Sequence, residues 1–270
     1  MEIKTMKANQ KENRRYVEAV VKSLEIIDCF ENKDNLRIKD IVQLTGLNKS
    51  RVIRLCGTLS SMNYLVYHET DKSFHLGPKF LMLGKTYERS NDLISLAKPV
   101  LIQLSKKTEE TALMSIVDGL SRLCVAKEIG THPIHFSIEE GERRDLYLGA
   151  SGKILIAYGS QNLKQEIFNK ISSDHHIVEK VNGLENFKSS LKKIEKSGYA
   201  ISSGEAVRDA SAISVPVFNH ERSVCASLSA VLPSYRLPEK KTIVLNALKK
   251  NARTLSASLG YTDTDAVQEN

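Results

Sequence analysis

The stretch LTGLNKSRVIRLCGTLSSMNYL, Leu44 to Leu65, decides how the chain is read. Just before it, Ile41, Val42 and Leu44 give a short apolar face over about Lys39 to Thr45. Gly46 follows, the residue type that enters the left-handed conformation closing a helix. Leu47 is placed to pack back on the pair, and Asn48 to cap a second helix whose inner face is Val52, Leu55, Leu59 and Met62. Helix, short glycine turn and helix over Ile38 to Thr58 is the spacing of a helix-turn-helix. Lys49, Ser50, Arg51 and Arg54 fall at or near the start of the second helix. A recognition helix presents that end to base edges and phosphates, and arginine can hold guanine through two bonds.

Downstream, YLVYHETDKSFHL has two short aromatic and β-branched runs around a polar turn, which reads as a hairpin. A hairpin after a recognition helix is a wing, and Lys72 sits at its tip. Arg37, ahead of the first helix, is a further candidate DNA contact. Upstream, Val17, Val20, Leu24 and Ile27 recur at helical spacing and predict a helix over about Tyr16 to Phe30, followed by a short extended piece from Leu36 to Ile38. The competing reading is a basic helical hairpin without a ligand. The turn glycine, the clustered cations and the hairpin together favour DNA.

The chain has 270 residues, 41% hydrophobic and 26% charged, which suits a soluble globular protein of one or two domains. Its net charge is +7, and the first 80 residues hold 14 Lys and Arg against 10 Asp and Glu. That excess suits a polyanionic partner. No apolar run approaches the ~18 residues of a membrane span, and the polar N-terminus has no signal-peptide core. Residues 1–15 are expected to be a basic disordered arm. Cys29, Cys56, Cys124 and Cys225 are far apart with no CxxC pair, which favours reduced thiols in a cytoplasm.

Beyond the wing, Phe80, Leu83 and Tyr87 form one helical stripe, and Leu93, Leu96, Val100, Leu101 and Leu104 form another that Pro99 should kink or break. Such a stripe marks either a dimer contact or packing on the next domain. TALMSIV and SRLCVAKEI, joined by DGL, predict a β-hairpin, and HPIHFSI a further strand. GASGKILIAYG and LENFKSSLKKIEKSG read as helices, with Gly198 ending the second. YAISS, AISVPVF and VCASLSAVL read as strands. The closing helix has core positions Leu245, Leu248, Ala252, Leu255 and Leu259. The fold class is α+β, with an antiparallel sheet.

Several ordered blocks now carry a family resemblance: LTGLNKSRVIRLCGTL, FHLGPKFLMLG, LAKPVLIQLSKKTEETALMSIVDG, LGASGKILIA, SGYAISSGEAVRDASAISVPVFN and ASLSAVLPSYRL. In that order the chain resembles the IclR-type transcriptional regulators from about Tyr16 to Tyr261. The resemblance implies a winged helix-turn-helix over 16–78, a linker helix over 79–94, a GAF-like effector-binding domain over 95–262 and a tail over 263–270. It also implies a dimer or dimer of dimers, operator DNA and a small organic effector as partners, and no catalytic role.

GASGK, Gly149 to Lys153, is neither a phosphate loop nor a nucleophile elbow, because Tyr147 and Ile154 stand where the former needs glycine and Ser or Thr. By the resemblance this loop lines the effector pocket, and the amides of Ala150 and Ser151 at a helix start suit a carboxylate. The alternative is that small residues merely let a helix sit close on a sheet. Ser202, Ala212, Ser229 and Val231 match further effector-facing positions. Ala212 and Val231 are apolar where some relatives place cysteine or serine, and Ser202 is neutral where some place an acid, which implies a less polar pocket. Glu205 matches a glutamate common in the family, or is a surface acid stabilising a turn. His132, His135, His175 and His176 lack the convergent spacing of a zinc site, so no metal or cofactor is assigned. The rival readings are a metabolite-binding or metal-dependent enzyme with an accessory basic domain, and a protein-interaction adaptor.

Overall fold

The computed structural model describes residues 16–262 apart from 32, 91 and 137, without the side chains of 87–90. The arm expected at 1–15, the tail at 263–270 and the Tyr87 side chain lie outside the described residues. The chain divides into two compact units, Met1–Ser90 and Asn91–Asn270.

The first unit contains α1 (Glu18–Asp28), α2 (Ile38–Thr45), α3 (Lys49–Ser61), the hairpin β1 (Leu65–His68) and β2 (Ser73–Leu76), and α4 (Lys79–Ser90). Gly46 closes α2 at φ 67°, its N–H donating to the Val42 carbonyl. Asn48 caps α3, its Oδ1 accepting from the Arg51 N–H at 2.9 Å. The core gathers Ile26, Phe30, Leu36, Ile41, Val52, Cys56, Leu59, Leu65 and Phe74. Leu36 exchanges two backbone hydrogen bonds with Phe74, which fastens the wing to the segment before α2.

Several expected core positions are instead on the surface. Val17, Val20 and Leu24 are exposed, and only the last turns of α1 reach the core, through Ile26, Ile27 and Phe30. Leu44 and Met62 are exposed as well, while Cys56 fills the inner face of α3. Leu83 of α4 is exposed beside Leu81 and Met82. Periodicity shows that a helix has an apolar stripe, but not whether this unit covers it.

The second unit is built on a six-stranded antiparallel sheet. Its strands are β3 (Thr111–Asp118), β4 (Ser121–Glu128), β5 (Arg143–Asp145), β6 (Ala200–Ser203), β7 (Ala210–Phe218) and β8 (Val224–Pro233), in the order β5-β4-β3-β8-β7-β6. Period-2 alternation gives the sheet two chemically different faces. Met114, Ala126, Val215, Leu228 and Ala230 face α5 (Asp92–Thr108) and α10 (Leu237–Ser258), burying Leu101, Leu104, Leu248 and Leu255. The other face carries Ser202, Ala212, Ser214, Ser227, Ser229 and Val231, and α6 (Gly149–Ala157) packs over it. Behind α6 lie α7 (Gln161–Ser173), α8 (His175–Lys180) and α9 (Leu184–Ser197).

α5 runs through Pro99 without a break, because Ile94, Ala97, Val100, Leu101 and Leu104 keep one continuous buried face across it. One lost hydrogen bond does not outweigh that burial, about 1.5–3 kcal/mol per large side chain. HPIHFSI forms no strand among its described residues; it is a loop with Ile134 exposed, and the edge strand is β5. α7 and α8 had no counterpart in the sequence reading. Among the described residues no helix is long and apolar enough to cross a membrane.

α6 lies tightly against the chain before it. A Cβ on Gly152 would lie 2.0 Å from the Leu146 carbonyl oxygen. Gly152→Ala should therefore destabilise the protein by about 1–3 kcal/mol in denaturant unfolding. Gly57→Ala on α3, where a Cβ meets nothing within 4 Å, should stabilise by about 0.5–1 kcal/mol.

Candidate DNA-reading surface and effector cavity

On α3 the inner positions Val52, Cys56 and Leu59 are buried, which turns the opposite face outward. Lys49, Ser50 and Arg54 are exposed there, and α3 has no acidic residue in its first turn. Arg51 is different. Its Nη1 lies 2.9 Å from Glu18 Oε1 of α1, and this hydrogen bond and charge hold the Glu18 carboxyl below its ordinary pKa. Of the two arginines assigned to DNA on α3, Arg51 is thus engaged within the protein, while Arg54 has no ion pair among the described residues. Arg37 is exposed at the N-cap of α2, where its N–H donates to Asp40 Oδ2. Lys72 is exposed in the wing turn at φ 53°, between Asp71, which accepts from the Ser73 N–H, and β2.

In the second unit, Ala150, Ser151, Ser202, Ala212, Ser229 and Val231 line a single cavity, although they come from α6 and three strands. Its accessible volume is about 50 Å³ and it is partly open to solvent, which is room for more than one water molecule. Leu113, Ile138, Ala206, Val207 and Ala210 supply much of the remaining wall.

The hydroxyls of this face are paired. Ser151 and Ser227 lie 2.6 Å apart, as do Ser214 and Ser229. Within such a pair one hydrogen is used, and the accepting hydroxyl keeps its own hydrogen to donate elsewhere. The start of α6 is also engaged. The Ala150 N–H donates to Ser202 Oγ at 2.9 Å, and the Gly149 N–H donates to Glu205 Oε2 at 3.2 Å. Glu205 also pairs with Lys153 at 2.7 Å. The Ala150 amide, expected to be free for a ligand, is thus satisfied by Ser202, and an internal carboxylate sits at the positive end of the helix.

Two arginines of this cavity were missed in the sequence. Arg144, on β5, pairs with Glu142 and donates to the Ala206 carbonyl at 3.1 Å, holding the 204–209 loop to the cavity rim. Arg122, on β4, is 5% exposed. Burial pushes its pKa down, and the Arg144 charge acts in the same direction. Leaving a guanidinium buried without a counter-ion costs several kcal/mol in order of magnitude. From sequence alone, Arg122 stands at the end of a hairpin strand and reads as a solvated cation. Among the described residues no three His, Cys, Asp or Glu side chains converge as a metal site would require.

Residues 19–69 match the IclR helix-turn-helix domain, and residues 85–257 match the family described as bacterial transcriptional regulator IclR C-terminal. The chain is 29% identical over 247 residues to the HTH-type transcriptional regulator KipR of Bacillus subtilis, covering 90% of this chain and 97% of that one. Among solved structures it resembles an IclR transcriptional regulator from Alicyclobacillus acidocaldarius, with TM-score 0.79, 22% identity and coverage of 90% and 98%. It also resembles an IclR homologue from Microbacterium hydrocarbonoxydans complexed with 4-hydroxybenzoate, with TM-score 0.76, 18% identity and coverage of 90% and 99%.

The free and engaged arginines of α3 should separate in binding experiments. Arg54→Ala should weaken operator binding by about 1–3 kcal/mol and relax specificity at one base position. Arg51→Ala should cost less. Fluorescence anisotropy over an operator series with single base changes reads both, and an equal loss on every sequence would make Arg54 a phosphate contact.

Proposed function

Because the chain belongs to the IclR family of bacterial transcriptional regulators, we propose that it is a cytoplasmic, homodimeric operator-binding protein whose DNA affinity is set by a small organic acid in the α6 cavity. It is a transcriptional regulator with a DNA-binding helix-turn-helix and a C-terminal effector-binding domain. The observation that carries the finer reading is the cavity, where six residues dispersed in sequence converge on one site. The Microbacterium homologue holds 4-hydroxybenzoate, a small organic acid. Lys49, Ser50 and Arg54, with Arg37 and Lys72, approach DNA; Arg51 joins them when it leaves Glu18. The effector acts by binding one DNA-affinity state better than the other, since equal affinity shifts nothing.

The homodimer reading rests on the exposed apolar surface of the first unit. Val17, Val20, Val21 and Leu24 follow one another at helical spacing on and just before α1, all exposed, and Leu81, Met82 and Leu83 are exposed on α4. An exposed apolar stripe such as that of α1 marks an interaction site. In a dimer it places two α3 helices on half-sites about 10 bp apart, or a multiple of that.

Two measurements test the proposal. Ala212→Phe or Ser229→Leu should leave operator affinity intact and abolish its response to effector, and unchanged ligand binding by calorimetry would remove the cavity assignment. The double change Val20→Glu and Leu24→Glu should halve the mass seen by sedimentation, and should weaken binding to a paired operator far more than to a single half-site.

A further inference from the structure

The cavity contains one charged group that the fold leaves without a counter-ion. Arg122 lines it and is 5% exposed, yet its Nε is buried with no hydrogen-bond partner and its Nη1 reaches only Ser115 Oγ, at 3.5 Å. Among the described residues no carboxylate lies within ion-pair distance of it. The acid on the adjoining segment, Glu142, is taken by Arg144. Arg144 is itself the residue directly opposite Arg122 across the β4–β5 pair, so the ladder sets cation against cation. Arginine does not shed its charge under physiological conditions, so Arg122 cannot escape by deprotonation.

The other buried arginine shows what a structural role looks like in this fold. Arg236 lies 3.1 Å from the fully buried Glu110 and donates to the Ile134 carbonyl at 2.6 Å, tying the loop at 130–136 to α10. Arg122 has neither a buried acid nor a carbonyl. A buried polar group without partners in an enclosed cavity points to a partner that arrives from outside.

We propose that Arg122 is the residue that binds the effector's charge, and that the effector is a small monocarboxylate with an apolar body. This rests on the α6 cavity being the effector site. A planar guanidinium fork matches a planar carboxylate through two parallel hydrogen bonds. The other cations near the cavity are already neutralised, Lys153 by Glu205 and Arg144 by Glu142, which leaves one positive charge for one negative one. Leu113, Ile138 and Val231 offer the rest of the ligand an apolar wall. A multiply charged phosphate ester would find no second free cation among these residues.

The test uses the purified full-length protein, calorimetry at constant ionic strength, and matched probes: propionate with propionamide, benzoate with benzamide, and 4-hydroxybenzoate with 4-hydroxybenzamide. At least one acid should bind the wild type, and its amide should bind at least about 30-fold more weakly. Arg122→Met should lower the affinity for that acid by at least about 30-fold and erase the preference over the amide. Without ligand, Arg122→Met should melt at or above the wild-type temperature, because it removes an unpaired buried charge. A lower melting temperature would mark a structural role and overturn the inference, as would the absence of any acid binding to the wild type. Ala212→Phe separates the two levels. If it abolishes binding while Arg122→Met leaves acid affinity unchanged, the cavity stands and Arg122 does not. If it leaves binding unchanged, the cavity assignment fails and the inference fails with it.

Discussion

The close approach between Gly152 and the Leu146 carbonyl oxygen governs the second unit. Only a residue without Cβ lets α6 lie that deep, with every residue of the helix except Lys153 buried. At that depth the Ser151 hydroxyl reaches Ser227 on β8 and the Ala150 amide reaches Ser202 on β6. Those contacts hold the start of α6 over the serine-bearing face of the sheet, where the cavity lies. The 204–209 loop then closes on it through Glu205 at the Gly149 amide and the Ala206 carbonyl at Arg144.

A different economy holds in the DNA-binding unit. Its core is small, and three local devices orient α3: the left-handed Gly46, the Asn48 cap and the bridge from Leu36 to the wing. The same core leaves the early turns of α1 and the first turn of α4 uncovered, since nine buried side chains cannot cover every apolar stripe around them. Arg51 belongs to both tasks. It lies on the recognition helix, but it is the partner through which α3 meets Glu18 on α1.

How much was legible differs from one element to the next. The helix-turn-helix and wing were readable because each depends on neighbours in sequence: a glycine after an apolar triplet, an asparagine before a helix, a polar turn between two short runs. The six cavity positions on α6, β6, β7 and β8 came from ordered family blocks, and no local rule unites residues 80 positions apart. Pro99 does not break α5, because the buried face on both sides of it carries the helix past it. HPIHFSI misled because alternation in a short run says nothing about whether a sheet edge is available to pair with it; that edge went to Arg143–Asp145.

By itself the sequence determined the order of domains, the α+β class, the cationic helix start and the alternation that gives the second unit's sheet an oily face and a hydroxyl face. These are local properties of periodicity, capping and charge. Tertiary structure alone decided which apolar stripes are covered, which arginine of α3 is free, and that Ala150 and Gly149 already have acceptors. It alone decided that Arg122 is enclosed without an acid. A charge at a strand end reads as solvated until the chain about 20 residues later folds β5 beside it and gives the carboxylate of Glu142 to Arg144. Burial and pairing are properties of what arrives from elsewhere in the chain, and no window of sequence contains them.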